Sequence, residues 1–153
     1  MHMIYLLIQG TWGILQSLLG LIVFLLHCRR PHFTYHGAVV TRWPRPSSVS
    51  LGMFIFLTDA PYFAEKLKDS YSKEELSARL LVHEYGHTVQ SLLLGPLYLP
   101  LMGIPSTLWG FLPAAQRKRK AGVSYFSFFT EKWANRLGEK LTHQKSMENL
   151  QID

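Results

Sequence analysis

Five consecutive residues in the middle of the chain, His83, Glu84, Tyr85, Gly86 and His87, combine two metal-binding side chains with one acid. In a helix, residues i and i+4 lie on one face about 5 to 6 Å apart, so both imidazoles can reach one ion. Glu84 would flank that ion and accept a proton from water without being a ligand. The spacing therefore predicts a catalytic zinc site (Zn2+) with His83 and His87 as ligands and Glu84 as general base.

The residues around this motif predict the helix that the geometry requires. Ser72 and Glu75 form a capping box, which satisfies two backbone donors at a helix start. Gly95 followed by Pro96 supplies a helix stop. We therefore expect a helix over about residues 73–94, with both histidines on one face of it.

A catalytic zinc ion needs a third protein ligand and an open position for water. The metzincin spacing would need a histidine at position 93, where this chain has Leu93. Further along, residues 131–135 are Glu-Lys-Trp-Ala-Asn and lie on a second predicted helix. Together with the motif at residues 83–87, this pattern resembles the gluzincin zinc metallopeptidases. It is most similar to their membrane-bound group, which has Glu-x-x-Ala-Asp downstream.

The resemblance implies that Glu131 is the third zinc ligand and that residue 135 supports a zinc histidine through a hydrogen bond. Asn135 stands where the family has aspartate. An amide can accept the same bond but lacks the charge that raises ligand basicity, so weaker support of the histidine is expected. Taken alone, Glu131 can also be a residue that favours the helix dipole. His143 and Glu139 are the reserve ligands.

The other candidate side chains carry weaker signals. Tyr125 is either an aromatic core residue or an oxyanion stabiliser near the metal. The remaining histidines lack helical pairing or follow Pro31 in extended chain, and we expect none of them to be a ligand: His2, His27, His32 and His36.

The composition favours contact with lipid. The 153 residues have room for about one domain. Charged residues make up only 17%, against about 25% in an average soluble domain, so lipid is expected to cover part of the surface. The net charge of +6 comes from basic residues beside apolar stretches, which favours anionic lipid headgroups and no nucleic acid. Cys28 is the single cysteine, and it is either an apolar filler or an acylation site.

Two uncharged stretches predict membrane contact. Residues 3–26 are long enough for a transmembrane helix. Arg29 and Arg30 follow it, which places the N-terminus outside and the active site at the cytoplasmic face. Residues 91–115 are interrupted by glycine and proline, which favours a re-entrant or interfacial hairpin over the alternative of a broken full span.

Strands are expected between the first uncharged stretch and the motif helix. Residues 33–43 and 49–57 are rich in β-branched and aromatic side chains, and the turn-forming residues 44–48 separate them. This pattern predicts an antiparallel β-hairpin, which either covers the motif helix or pairs its edge with an extended peptide substrate. The last helix is predicted from Glu131 to about residue 141, with Thr130 as its N-cap.

These expectations combine into an α+β protein. It has a transmembrane anchor over residues 1–30, a zincin-like metallopeptidase domain over residues 31–142, and a flexible tail over residues 143–153. Its expected activity is hydrolysis of peptides or membrane-protein segments at a membrane, in an oligomeric state that the sequence leaves open. The alternatives are a non-catalytic metal-binding membrane module and a lipid-interacting membrane protein with chance histidines.

Overall fold

A computed structural model describes residues 2–148 and residue 150. Within this part of the chain, seven α-helices are combined with one four-stranded sheet, which confirms the predicted α+β class. The helices are α1 His2–Thr11, α2 Ile14–Leu26, α3 Ala64–Leu67, α4 Lys73–Leu94, α5 Ile104–Phe111, α6 Pro113–Lys120 and α7 Phe129–Thr142. The strands are β1 His32–Tyr35, β2 Ala38–Trp43, β3 Val49–Leu51 and β4 Phe54–Thr58.

The sheet differs from the single antiparallel hairpin that the sequence predicts. Its order is β1-β2-β4-β3, with two antiparallel hairpins, β1–β2 and β3–β4, joined by parallel pairing of β2 with β4. The physical reason is a tight turn inside each predicted strand. His36 and Gly37 have φ angles of 48° and 94°, and Gly52 has a φ of 60°, as two-residue hairpin turns require. The predicted pairing is therefore wrong, and β3 becomes an edge of the sheet.

Helix α4 carries the metal motif and has the predicted bounds. The Ser72 hydroxyl accepts a hydrogen bond from the backbone N–H of Glu75 at 3.1 Å, and Gly95 ends the helix with a φ of 53°. Leu76 and Leu80 of this helix join the hydrophobic core that includes β4. Helix α4 therefore packs against the sheet on one side and contacts α7 on another.

Two glycines let α7 lie directly against the backbone of α4. A Cβ atom at Gly86 would collide with the backbone carbonyl of Ala134, and a Cβ atom at Gly138 would collide with that of Val82. Glycine inside a helix lowers stability by about 1 kcal/mol relative to alanine. The close approach of the two helices explains why glycine stands at both positions despite this cost. The same approach brings Glu131 alongside the two histidines.

We expect Gly86→Ala to lower the free energy of unfolding by about 1–3 kcal/mol, because the added methyl group must push the two helices apart. Gly110→Ala in α5 is the matched control, since a Cβ atom there meets nothing within 4 Å. The control should be neutral or more stable by up to about 1 kcal/mol. Denaturant titrations in detergent compare both variants with the wild type. An unchanged midpoint for Gly86→Ala would contradict backbone contact between α4 and α7.

The first uncharged stretch forms two helices instead of the predicted single span. Helices α1 and α2 meet at 101°, and within the described residues no single helix is long and apolar enough to cross a membrane. At the break, the N–H of Gly13 donates a hydrogen bond to the carbonyl of Ile8, and the Ser17 hydroxyl donates one to the carbonyl of Gln9 at 2.9 Å. A Cβ atom at Gly13 would collide with the Gln9 side chain. The prediction of a single transmembrane helix over residues 3–26 is therefore wrong, because the chain bends there into two shorter helices.

The second uncharged stretch also bends. After α4, a 3-10 turn over Gly95–Leu97 and a π-helical segment over Leu99–Gly103 lead into α5. The helical segments on the two sides of Tyr98 are bent by 120°. The predicted interruption of residues 91–115 is confirmed, whereas their place relative to a membrane stays a prediction.

The described residues after α7 contribute to the core, although a flexible tail is predicted there. Met147 is fully buried and Leu150 is 4% exposed. Glu139 anchors the segment by accepting hydrogen bonds from the backbone N–H and the hydroxyl of Ser146, at 2.9 and 2.8 Å. Asn149 and residues 151–153 of the predicted tail lie outside the described residues.

Candidate metal centre

Three buried side chains converge where α4 and α7 touch. The ligand atoms of His83, His87 and Glu131 all lie within 4.8 Å of one another. The Nε2 atoms of His83 and His87 lie 3.2 and 3.3 Å from Oε2 of Glu131. A buried His-His-Glu group with this geometry can hold a metal ion. Among the described residues it is the single group of this kind.

The other nitrogen of each histidine is held by a side-chain amide. Nδ1–H of His83 donates to Oδ1 of Asn135, and Nδ1–H of His87 donates to Oε1 of Gln90, both at 2.8 Å. The amide nitrogen of Gln90 donates to the carbonyl of Thr130 at 2.8 Å, so its oxygen must be the atom that faces His87. A neutral imidazole with its proton on Nδ1 has its lone pair on Nε2. Both Nε2 atoms are therefore suited to bind a metal.

Glu131 divides its two oxygens between two roles. Oε2 faces the histidines, while Oε1 accepts hydrogen bonds from the hydroxyls of Thr130, at 3.0 Å, and of Ser106 in α5. Thr130 lies inside the first turn of α7, whose N-cap is Phe128, so the prediction of Thr130 as N-cap is wrong. The two hydroxyls hold Oε1 and leave Oε2 as the atom that faces the metal position.

The buried pair of Glu131 and His87 is charged when no metal is bound. Burial alone would raise the pKa of Glu131, but the charge on His87 and the hydrogen bond from that imidazolium hold it well below its usual range. Burial alone would lower the pKa of His87, but the Glu131 carboxylate raises it to about 9. At neutral pH the metal-free site therefore contains a carboxylate paired with an imidazolium.

Metal binding at pH 7 should release a proton from His87, because only the neutral imidazole can be a ligand. The pKa of about 9 lies above pH 7, so protons compete with the metal below pH 9 and no longer compete above it. We expect the apparent metal affinity to rise by about tenfold per pH unit from pH 7 to 9 and then level off. Calorimetry in buffers of different ionisation enthalpy measures the proton count. A count of zero at pH 7 would contradict this charge state.

Glu84 lies in the same cavity as the three candidate ligands but is not a member of their group. Its side chain is 5% exposed, and the hydroxyl of Ser50 in β3 donates to Oε2 of Glu84 at 2.7 Å. The edge strand of the sheet thus fixes the orientation of this carboxylate. The cavity has a volume of about 1170 Å³, and much of its wall is apolar, including Leu51, Leu80, Met102 and Phe126.

The weaker candidates from the sequence have different positions. His143 is exposed in the left-handed conformation at the end of α7, and Glu139 bonds to Ser146, so neither reserve ligand joins the metal group. Tyr125 lines the cavity and packs edge-on against Phe126, and its part in the chemistry stays a prediction. Three of the remaining histidines lie outside the group, His27, His32 and His36, while the side chain of His2 is not among those described.

Four residues that support the metal group are not predicted from the sequence. Gln90 had a usable signal, because it follows His87 by three positions and so lies on the same face of α4. Ser50, Ser106 and Thr130 had none, because their contacts depend on how the sheet, α5 and α7 pack around the motif. Packing of this kind cannot be read from local spacing.

Comparisons with protein-family models, curated proteins and solved structures find no match to this chain. The resemblance to gluzincins thus depends on the motif residues alone.

Proposed function

We propose that the protein is a membrane-associated, zinc-dependent peptidase in which Glu84 is the general base. The observation that carries this proposal is the arrangement of four side chains around one cavity. His83, His87 and Glu131 form a group of three ligands, and Glu84 is a fourth group, held by Ser50 rather than by the ligands. Structural zinc sites are usually closed by four protein ligands, whereas catalytic sites have three and an open position.

The ligand set fits zinc. Two imidazole nitrogens and one carboxylate are a known catalytic zinc set, and the lone pairs on both Nε2 atoms supply the donors. When bound, zinc would polarise a carbonyl group and lower the pKa of water. Both outer acceptors, Asn135 and Gln90, are neutral amides, so the histidines are less basic than beside a carboxylate. Nδ2 of Asn135 is buried with no hydrogen-bond partner among the described residues, a donor that an aspartate would lack.

In the proposed reaction, Glu84 accepts a proton from the attacking water and passes it to the leaving amine. Ser50 holds Oε2 of Glu84 at 2.7 Å, so the other carboxylate oxygen takes the proton. The hydrogen bonds to Asn135 and Gln90 keep both imidazoles in the required tautomer during the reaction. Ser106 and Thr130 keep Glu131 from rotating away from the histidines.

The wall of the cavity suits an extended, apolar peptide. Strand β3 is an edge strand, and its residues Val49–Leu51 line the cavity, where an extended backbone can pair with them. Ile104, Leu108 and Phe111 also line the cavity and are exposed, by 56%, 46% and 75%. These features favour apolar segments of peptides or membrane proteins as substrates.

A cleavage assay on detergent-purified protein tests the proposed function. Mass spectrometry would follow the cleavage of a mixture of apolar and polar peptides. Three samples are compared: wild-type protein, protein stripped of metal by a chelator, and stripped protein to which zinc has been added back. Cleavage that stops on stripping and returns with zinc is the expected result. A folded, zinc-loaded protein that cleaves no peptide would contradict the enzyme and favour a non-catalytic metal-binding module.

A further inference from the structure

The exposed hydrophobic side chains of the protein are concentrated in two parts of the chain. Most large apolar residues that reach the surface lie within residues 3–26 and 93–112. Their exposure is high, with 76% for Leu26 in α2 and 75% for Phe111 in α5. Neither range contains a charged residue. Soluble monomers rarely expose apolar patches of this extent, so another apolar phase is needed to cover them.

The two ranges touch each other at their bends. The amide nitrogen of Gln9 donates to the carbonyl of Thr88 at 2.9 Å, and that of Gln16 donates to the carbonyl of Gly95 at 3.0 Å. The Ser91 hydroxyl donates to the amide oxygen of Gln9 at 3.0 Å. Inside lipid, backbone groups freed at a helix break must find partners within the protein. Gln16 meets that need for the carbonyl of Gly95, and the two glutamines together join the two bent helix pairs into one unit.

The helices that lie wholly within these two ranges, α1, α2 and α5, are each too short to cross a bilayer. Helix α2 has 13 residues and α1 has 10, which correspond to lengths of about 20 and 15 Å. The hydrocarbon core of a bilayer is about 30 Å thick. The bends of 101° and 120° then turn each pair back instead of extending it.

A cluster of basic residues follows each apolar range. Arg29 and Arg30 come directly after α2, and residues 117–120, Arg-Lys-Arg-Lys, end α6 shortly after α5. Each basic side chain near an anionic membrane surface contributes about 1 kcal/mol of attraction. Both clusters can contribute only if both lie at the same surface.

We propose that residues 3–26 and 93–112 insert together into one leaflet of an anionic bilayer, with both basic clusters and the N-terminus at the same membrane surface. We define the lipid-facing surface as the exposed apolar side chains of residues 3–26 and 93–112. This inference concerns the membrane side only and does not depend on the metal site. It replaces the expectation that the N-terminus lies across the membrane from the rest of the chain.

Flotation with vesicles tests the lipid-facing surface. The probe is vesicles of phosphatidylcholine with or without phosphatidylglycerol. Leu18→Glu in α2 and Leu101→Glu in the π-helical segment before α5 place a charge on that surface, where the wild-type side chains are 51% and 47% exposed. Leu141→Glu in α7 is the matched control, with 48% exposure outside it. We expect each of the first two variants to bind anionic vesicles on the order of tenfold less, and the control to be unchanged.

Protease digestion tests the single-leaflet arrangement. The full chain, with one epitope tag at each terminus, is bound to preformed sealed vesicles and exposed to external protease. Both tags should be digested, because both lie at the outer surface. A protected N-terminal tag would overturn the proposal in favour of a full span. Two results would overturn the lipid-facing surface itself. One is wild-type protein that forms a dimer without detergent and does not bind vesicles. The other is an equal loss of vesicle binding in all three variants.

Discussion

Replacement of Glu84 by glutamine is expected to lower the rate of peptide cleavage by about 10²–10⁴-fold while one metal ion per chain is retained. The amide cannot accept a proton from water, so general-base catalysis is lost. The metal group is left intact because Glu84 is not a member of it. The Ser50 hydroxyl can donate to the amide oxygen as it does to the carboxylate, so the substitution should leave the packing unchanged.

The measurements are the initial rate of cleavage and the metal content by mass spectrometry, both on detergent-purified protein. Glu74→Gln is the matched control, because Glu74 is an exposed acid in the first turn of the same helix. Its rate and its metal content should equal those of the wild type. A Glu84→Gln variant with full activity would exclude the proposed mechanism, even if the metal were present.

Replacement of Glu131 by alanine is expected to remove the metal. Glu131 supplies the carboxylate of the group, and its Oε2 lies within 3.3 Å of Nε2 of both histidines. Loss of an outer hydrogen-bond partner typically lowers metal affinity by about 10–100-fold, and loss of a direct ligand should exceed that range. After dialysis, we expect the variant to retain less than about one tenth of a metal ion per chain.

His143→Ala is the control for this experiment, since His143 is a reserve ligand predicted from the sequence but is exposed beyond the end of α7. It should retain one metal ion per chain. Glu131→Gln keeps the shape of the side chain and shows whether metal loss is separate from misfolding. If Glu131→Gln were folded and fully loaded with metal, Glu131 would not be a ligand.

The motif helix could be predicted from the sequence because its signals are local. The Ser72 cap, the Gly95 stop and the spacing of His83 and His87 all act within a few residues, and they fixed the bounds of α4. The prediction of Glu131 as third ligand came from a resemblance of motifs, and the structure brings Glu131 to the histidines. The close contact at Gly86 that makes this possible has no signal of its own in the sequence.

The sheet and the first helix could not be predicted, for a common physical reason. The two-residue turns at His36–Gly37 and Gly52 break runs whose composition favours continuous strands. The bend at Gly13 depends on a hydrogen bond from Ser17 and on contacts of Gln9 with α4. In each case a short break interrupts a run whose overall composition favours one continuous element.

The pairing of His87 with Glu131 has a further consequence for the stability of the whole chain. These residues are 44 positions apart, and an ion bound by both would close the intervening chain into a loop. By the entropy of cross-linking, closing a loop of this length destabilises the unfolded state by about 4 kcal/mol, if the ion stays bound there. A chain whose single cysteine, Cys28, precludes an internal disulfide would thus acquire its one internal cross-link together with its metal.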